Sequence, residues 1–250
     1  MPAEKATAIV IRTVDFSESS LVVTLFTREF GKISSLAKGG RRLKGPFESA
    51  LDLLALCRIV FLHKSSGALD LLTEAKLSRR FRPAGKRLAS LYAGYYVAEL
   101  LNELTDDHDP HPVLFDLADK TLLSLSGEDS VARLVLRFEL GALRELGYLP
   151  SFKTCVNCGD SVALTGRVAF GQLDGGVLCG KCRSGRRQVA SVTAELIDTL
   201  AQFADPESDW RRIDIDPRGQ GELRGLLNHY LCNLLGRKPR MHRYLGLLSS

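Results

Sequence analysis

Four of the six cysteines stand in two C-x-x-C pairs, Cys155/Cys158 and Cys179/Cys182, in the spacing C-x2-C-x20-C-x2-C. This spacing constrains the fold more than any other feature of the chain. A C-x-x-C turn brings two thiolates to one side of a tight knuckle, and two knuckles complete a tetrahedron around zinc at distances near ~2.3 Å. The residues between them, RVAFGQLDGGVL, alternate in character and contain Gly175-Gly176, which predicts a short hairpin joining the knuckles.

Four uses of such a cluster differ in their chemistry. A catalytic zinc needs an open position for water, whereas four thiolates close the shell, and the His-x-Glu of zinc deaminases is missing. A redox pair belongs beside a βαβ unit, and the local pattern here is a hairpin. Direct contact with nucleic acid is suggested by Lys181, Arg183, Arg186 and Arg187 around the second knuckle, although solvated charge is the commoner condition there. A closed structural zinc, ordering a segment too short to build its own core, accounts for the spacing best. One structural zinc ion is therefore the expected cofactor. Disulfides are not expected in a reducing compartment, so Cys57 reads as core in an apolar strand, while Cys232 falls off the apolar stripe of its helix.

With 45% apolar and 25% charged residues among 250, the chain can bury a core in about one to three domains. The start, MPAEKATAIVIRT, has no signal-peptide apolar region, and no apolar run approaches the roughly 18 residues of a membrane span. A cytoplasmic protein without a membrane partner is expected. The net charge of +5 is modest but unevenly spread. Residues 28–44 carry six bases (Arg28, Lys32, Lys38, Arg41, Arg42, Lys44) against Glu29, and residues 76–87 carry six more (Lys76, Arg79, Arg80, Arg82, Lys86, Arg87) with no acid. Residues 95–130 carry nine acids and one base, Lys120. A basic front and an acidic middle would guide a polyanion to one face and repel it from another.

From residue 6 to about 80 the pattern is that of five strands: ATAIVIRT, SLVVTLFT, KISSLA, LLALCRIVFLH and ALDLLTEAKLS. The start of the fourth run, Leu53 to Leu56, also reads as helix. Turns are predicted at Glu29–Lys32 and at KSSG, and five strands in so short a stretch fit a small closed barrel that leaves no edge unprotected. After Pro83 the period changes to that of a helix whose stripe is Leu88, Leu91, Tyr92, Tyr95, Tyr96, Leu100, Leu101 and Leu104. TDDHDPHP ends it, and further helices are predicted at 112–126, at 131–146 with Gly147 as terminator, at 193–203 and from Gly221 onward. The fold class is α+β and multidomain: a barrel at 1–82, a helical domain at 83–150 and 190–250, and a zinc-binding insertion at 151–189.

A five-stranded barrel with a cationic loop suits a single nucleic-acid strand, whose backbone follows the groove while bases lie on aromatic or apolar faces. In AKGGRRLKG, Gly39 and Gly40 let Lys38, Arg41, Arg42 and Lys44 converge on phosphates. A solvated loop that binds nothing is the alternative, and the second acid-free run at 76–87 moves the balance to binding. No phosphate loop, serine nucleophile motif or H-E-x-x-H is present, and the five histidines, His63, His108, His111, His229 and His242, are scattered through turns and the C-terminal sequence. An enzyme is not expected.

These residues carry a family resemblance. ESSLVVTLFTREFGKISSLAKGGRRLKG, the five-strand pattern, the helical remainder with its paired cysteines and the closing GRKPRMHRYL together resemble the RecO family of bacterial recombination mediators. The resemblance implies an oligonucleotide/oligosaccharide-binding (OB) barrel, a helical domain and a zinc module. It further implies binding of single- and double-stranded DNA, annealing of complementary strands, and partnership with RecR and the single-strand-binding protein in loading RecA. By position, the family's basic barrel face corresponds to Arg28, Lys32, Lys38, Arg41, Arg42 and Lys44. Charge alone adds Arg79, Arg80, Arg82, Lys86 and Arg87, with Lys76. The phenylalanines of the barrel region mostly lie in runs that read as core, so binding is expected to be electrostatic; about five neutralised phosphates would give a salt slope near ~−3.5. Arg133 and Arg137, beside Leu134 and Phe138, are candidates for the acidic tail of the single-strand-binding protein, or are ordinary surface arginines. Two other classes stay open: a zinc-ribbon transcription or translation factor that contacts nucleic acid through its knuckle, and a metal-dependent enzyme, which would need a zinc with an exchangeable water.

Overall fold

In the computed structural model, residues 3–42, 45–47, 50–64, 69–83 and 88–249 are described. Contacts divide the chain into two compact units, Met1–Val131 with Arg243–Leu245, and Ala132–His242 with Gly246–Ser250.

Five strands open the first unit: β1 (Ala3–Asp15), β2 (Leu21–Thr27), β3 (Gly31–Ala37), β4 (Leu56–Leu62) and β5 (Asp70–Arg79). They close into a barrel in the order β1-β2-β3-β5-β4, with β4 returning to β1. All pairings are antiparallel except β3 with β5, where Ser35, Leu36 and Ala37 face Asp70, Leu71 and Leu72 in parallel. β1 serves two neighbours: Ala3 to Ile9 pair with β4, and Ala8 to Asp15 with β2, the register shifting between Val10 and Arg12. Small and branched side chains fill the interior, among them Ala8, Val10, Val23, Leu25, Ile33, Ile59 and Leu72. This inside/outside alternation is what the period of two in the sequence reports.

The stretch before β4 is neither strand nor helix. Leu54 adopts φ 66, its N–H donates to Val10 O at 2.8 Å, and Val10 N–H donates to Ala55 O at 3.0 Å. The run therefore folds onto β1 where that strand's register shifts, and regular strand begins only at Leu56. The turn at 28–30 matches expectation: Thr27 Oγ1 accepts from Phe30 N–H and donates to Gly31 O. Of the KSSG turn, all but Lys64 lies outside the described residues.

Helices α1 (Leu88–Leu104) and α2 (Pro112–Ser124) complete the first unit. Of the predicted stripe of α1, Tyr96, Leu100 and Leu101 are buried, but the buried face is shifted to include Ala93, Gly94 and Val97, and Leu88 is exposed. The cause is close packing: a Cβ on Gly94 would lie 2.8 Å from Leu54 and 3.0 Å from Phe81. α2 starts with Pro112 in its first turn, where a missing N–H costs nothing, and Phe115 lies 6.1 Å from the Phe26 ring. Tyr244 stacks on Tyr92 of α1 at 4.6 Å.

The second unit holds α3 (Val131–Glu145, from Ala132), β6 (Arg167–Gly171), β7 (Gly176–Leu178), β8 (Val189–Thr193), α4 (Ala194–Ala204) and α5 (Pro217–Leu234). Its sheet has the order β7-β6-β8. Gly147, at φ 78, ends α3 as predicted, with Tyr148 N–H donating to Leu143 O at 2.7 Å. α5 begins a turn earlier than its apolar stripe, because Asp216 caps it by accepting from Gly219 N–H at 2.7 Å and Pro217 follows. A buried carboxylate, Glu139 of α3, is held by both terminal nitrogens of Arg224 on α5, which also donates to Asn228 at 2.7 Å. Among the described residues no helix is long and apolar enough to cross a membrane.

Candidate metal centre and nucleic-acid interface

Backbone hydrogen bonds shape the first cysteine knuckle. Cys155 N–H donates to Asp160 O at 2.7 Å, Gly159 N–H returns to Cys155 O at 2.8 Å, and Gly159 takes φ 79. In the second, Arg183 N–H donates to Cys179 O at 3.1 Å. The predicted hairpin, β6 and β7 turning at Gly175, joins the two, and Val156 N–H donates to Val177 O at 3.0 Å to register the first knuckle against β7. The sulfurs of Cys155, Cys158, Cys179 and Cys182 all lie within 4.8 Å of one another.

The separation of Cys158 and Cys179 sulfurs, 3.8 Å, is the edge of a tetrahedron whose centre is about 2.3 Å from each corner. The charges point the same way. Backbone N–H groups, first that of Cys179 and then those of Cys158 and Asn157, pull the Cys155 thiol down to about 6. At Cys158 the Asp160 N–H acts downward, but desolvation and the Cys155, Cys182 and Cys179 sulfurs outweigh it and push the thiol up to about 12. Four sulfurs this close resist shared ionisation unless a cation sits among them. The cluster could hold a metal ion, and its donor set fits a closed, thiolate-bound one. Arg186 is not a solvated charge: it donates to Asp174 at 2.8 Å and to the Asn157 side chain, tying the hairpin turn to the first knuckle. Lys181, Arg183 and Arg187 are exposed.

The predicted basic face divides. Arg28 donates to both Asp116 oxygens, at 2.9 and 3.1 Å; that hydrogen bond raises the guanidinium pKa and lowers the carboxyl's. The Lys32 ammonium, 13% exposed, donates to Asn102 O at 2.9 Å and Thr105 O at 2.5 Å and lies 3.6 Å from Asp107. Arg79 pairs with Asp119. The acidic middle segment therefore does not merely repel polyanions; Asp107, Asp116 and Asp119 engage three of the cations assigned to the basic face. Lys32 in particular is an internal clamp on the C-terminal end of α1.

Lys38, Arg41 and Arg42 form the exposed remainder of the loop. Gly39 takes φ 77, and the Arg42 side chain lies over it. Arg41 fastens the loop to the β1–β2 turn: its N–H donates to Ser19 O at 3.1 Å and its guanidinium to Ser17 O at 3.2 Å, with Asp15 at 3.4 Å. Among the described residues no ion pair engages Lys38 or Arg42. That same turn carries Phe16, 62% exposed. Arg80 lies 3.3 Å from Asp52 and Arg82 is exposed. Lys44, Lys86 and Arg87 fall outside the described residues.

One cross-strand row went unread in the sequence, although its Lys76 belongs to the basic run at 76–87. Thr7, Arg58 and Lys76 are direct cross-strand partners on β1, β4 and β5, and with Lys5 they border a groove of about 590 Å³ that Glu29 and Glu74 also line. Only the register reveals it, because three strands each supply a single residue. Of the two candidate arginines in α3, Arg137 donates to Asp205 O at 2.6 Å, to Pro206 O at 3.1 Å and to Phe203 O. It caps the end of α4; burial, then the charge of Arg144, lowers its pKa. Arg133 donates to Arg211 O at 2.9 Å. Both have intramolecular duties, which favours the ordinary-arginine reading.

Comparison with known proteins covers almost the whole chain. Residues 1–81 match the family description "Recombination protein O N terminal" and residues 85–243 match "Recombination protein O C terminal". The DNA repair protein RecO of Rhodopirellula baltica is 44% identical over 262 residues, covering 95% of this chain and 97% of that protein. Those of Myxococcus xanthus and Halalkalibacterium halodurans are 33% and 30% identical, with 92% and 98% of this chain covered and 92% and 95% of theirs. None of these names denotes a catalytic activity. With both halves matched in order, and the relatives spanned almost whole, the chain belongs to the RecO family of DNA repair proteins.

Proposed function

We propose that this protein is a non-enzymatic DNA-binding mediator of recombinational repair. It binds single- and double-stranded DNA through an OB-type barrel, anneals complementary strands and, with RecR, helps load RecA onto DNA coated by the single-strand-binding protein. The observation that carries the reading is the pairing of the Lys38–Arg42 loop with the β1–β2 turn, which sets exposed Arg41 and Arg42 beside exposed Phe16. In OB barrels the first interstrand loop is a binding element, and cations that follow a phosphate backbone next to an aromatic face are what a single strand requires. Annealing then needs no covalent step, since neutralising phosphates on two strands reduces their repulsion.

The functional division is a DNA-binding barrel at 1–82, a helical body at 83–150 and 190–250, and an insertion at 151–189 folded by one structural zinc on Cys155, Cys158, Cys179 and Cys182. The site of action is the cytoplasm, at the nucleoid. The experiment is annealing of complementary oligonucleotides without ATP, with and without single-strand-binding protein, alongside salt titrations of binding. K38E/R41E/R42E should lose annealing and flatten the slope of log K on log salt by about 2 for three lost single-strand phosphate contacts. Unchanged affinity and slope in that variant would remove the site. A K181E/R183E/R187E control that loses binding instead would favour a knuckle-based nucleic-acid contact.

A further inference from the structure

At the end of the barrel where β4 leaves and β5 enters, three potential ligands meet. Asp70, the first residue of β5, is 2% exposed. Its Oδ1 accepts from Lys64 N–H at 2.9 Å and lies 3.1 Å from His63 Nδ1. Its Oδ2 is buried and has no hydrogen-bond partner. The group facing that oxygen is His108 Nε2, at 4.0 Å, brought in from the α1–α2 turn. The turn is held there by His108 N–H donating to Lys32 O at 2.8 Å, and His108 itself takes φ 58, a conformation that a side chain other than glycine's makes unfavourable. The two rings lie 4.8 Å apart, and the nitrogens and the carboxylate are all within 4.8 Å of one another.

A buried carboxylate oxygen without a donor is unfavourable, and so is a strained histidine backbone; both become reasonable if something between the groups binds them. The donor set is two imidazoles and one carboxylate, which suits a divalent transition ion. Zinc held at about 2.0–2.2 Å by such ligands has ligand-to-ligand edges near ~3.3 Å; His63 Nδ1 stands 3.1 Å from Oδ1 of the carboxylate and His108 Nε2 4.0 Å from its Oδ2. The imidazoles are 48% and 46% exposed, so an ion has a path in from solvent.

We propose that His63, Asp70 and His108 form a second metal site, independent of the four cysteines, that binds zinc or a chemically similar divalent ion and fastens the α1–α2 turn to the barrel. Three protein ligands leave one coordination position for water or another oxygen donor. The site rests on nothing assumed about the cysteine cluster or about DNA.

The test is zinc titration of the full chain, stripped of metal, in competition with a chromogenic chelator. Wild type should bind one equivalent more than H63Q/H108Q, and C155S/C179S should retain that equivalent while losing its own. Equal uptake by wild type and H63Q/H108Q overturns the site, whereas loss confined to the histidine variant speaks only against the cysteine cluster. Should the histidine variant misfold, imidazole 15N signals of the wild type decide. Zinc must shift those of His63 and His108, and if both stay in place the proposal fails. Cobalt bound to C155S/C179S should also show ligand-field bands without sulfur charge-transfer absorption; no uptake of cobalt by that folded variant again counts against it.

Discussion

Under the proposed binding mode Phe16 is the face for a stacked base, and its 62% exposure means that removing the ring takes little packing away. F16A should therefore weaken single-stranded DNA binding by roughly 1–3 kcal/mol, the range for one base on one aromatic face, while F16Y binds like wild type. Anisotropy titrations with a labelled oligonucleotide, next to melting curves that stay unchanged, check this. Arg28 makes the opposite case, since its guanidinium is engaged by Asp116. The hydrogen bond holds the Asp116 carboxyl below the usual carboxylate range. A depressed folded pKa stabilises above the unfolded value and loses that contribution as pH falls through the folded one. R28A should thus be slightly less stable than wild type at neutral pH, the pair being about half exposed, and urea melts of the two should converge in acid. A gap that widens below the carboxylate range would contradict the assignment.

The β2–β3 hairpin turns at Gly31, φ 67, where a Cβ would stand 2.1 Å from Asp109 O of the α1–α2 turn. G31A meets both a left-handed backbone and a backbone clash, so it should cost more than the roughly 1–3 kcal/mol of the conformation alone. G39A, with φ 77 but its nearest atom at 3.5 Å on a flexible arginine, should stay within that range. Chemical denaturation of the two variants compares them. In the second unit, R224M removes the two guanidinium contacts of the Glu139 carboxylate, which is 1% exposed, and should cost about 3–5 kcal/mol. What was legible in the sequence follows the same division. Hairpins β2–β3 and β6–β7, and the ends of α3, are written in neighbouring residues, through turn glycines and alternation. The parallel β3–β5 pair and the two-sided pairing of β1 involve residues tens of positions apart, so periodicity carries no sign of them. The same holds for charge. A run such as Lys38 to Arg42 announces itself, whereas the loss of Lys32 to α1 carbonyls and the row Thr7, Arg58, Lys76 exist only once the barrel closes.

Over the whole molecule, a net charge of +5 understates the selectivity of the surface, because acids at Asp107, Asp116 and Asp119 remove cations from one part of the basic face and leave the Lys38–Arg42 loop prominent. In C155S/C179S, amide exchange should accelerate across residues 151–193, where knuckles and sheet share hydrogen bonds, and protection in the strands of the barrel should be retained. Faster exchange in β1 to β5 of that variant would mean the cysteines order more than their own neighbourhood.

The two-sided pairing of β1 also bears on synthesis. Its second half can zip onto β2 as soon as residue 27 has emerged, but Ala3 to Ile9 must wait for Leu56 to Leu62. At ribosomal rates of about 5–20 residues per second, that leaves a bare strand edge for roughly 2–7 seconds, open to any other nascent chain nearby. Glu4 and Lys5, placed on that waiting segment, give it charges of both signs while it is alone.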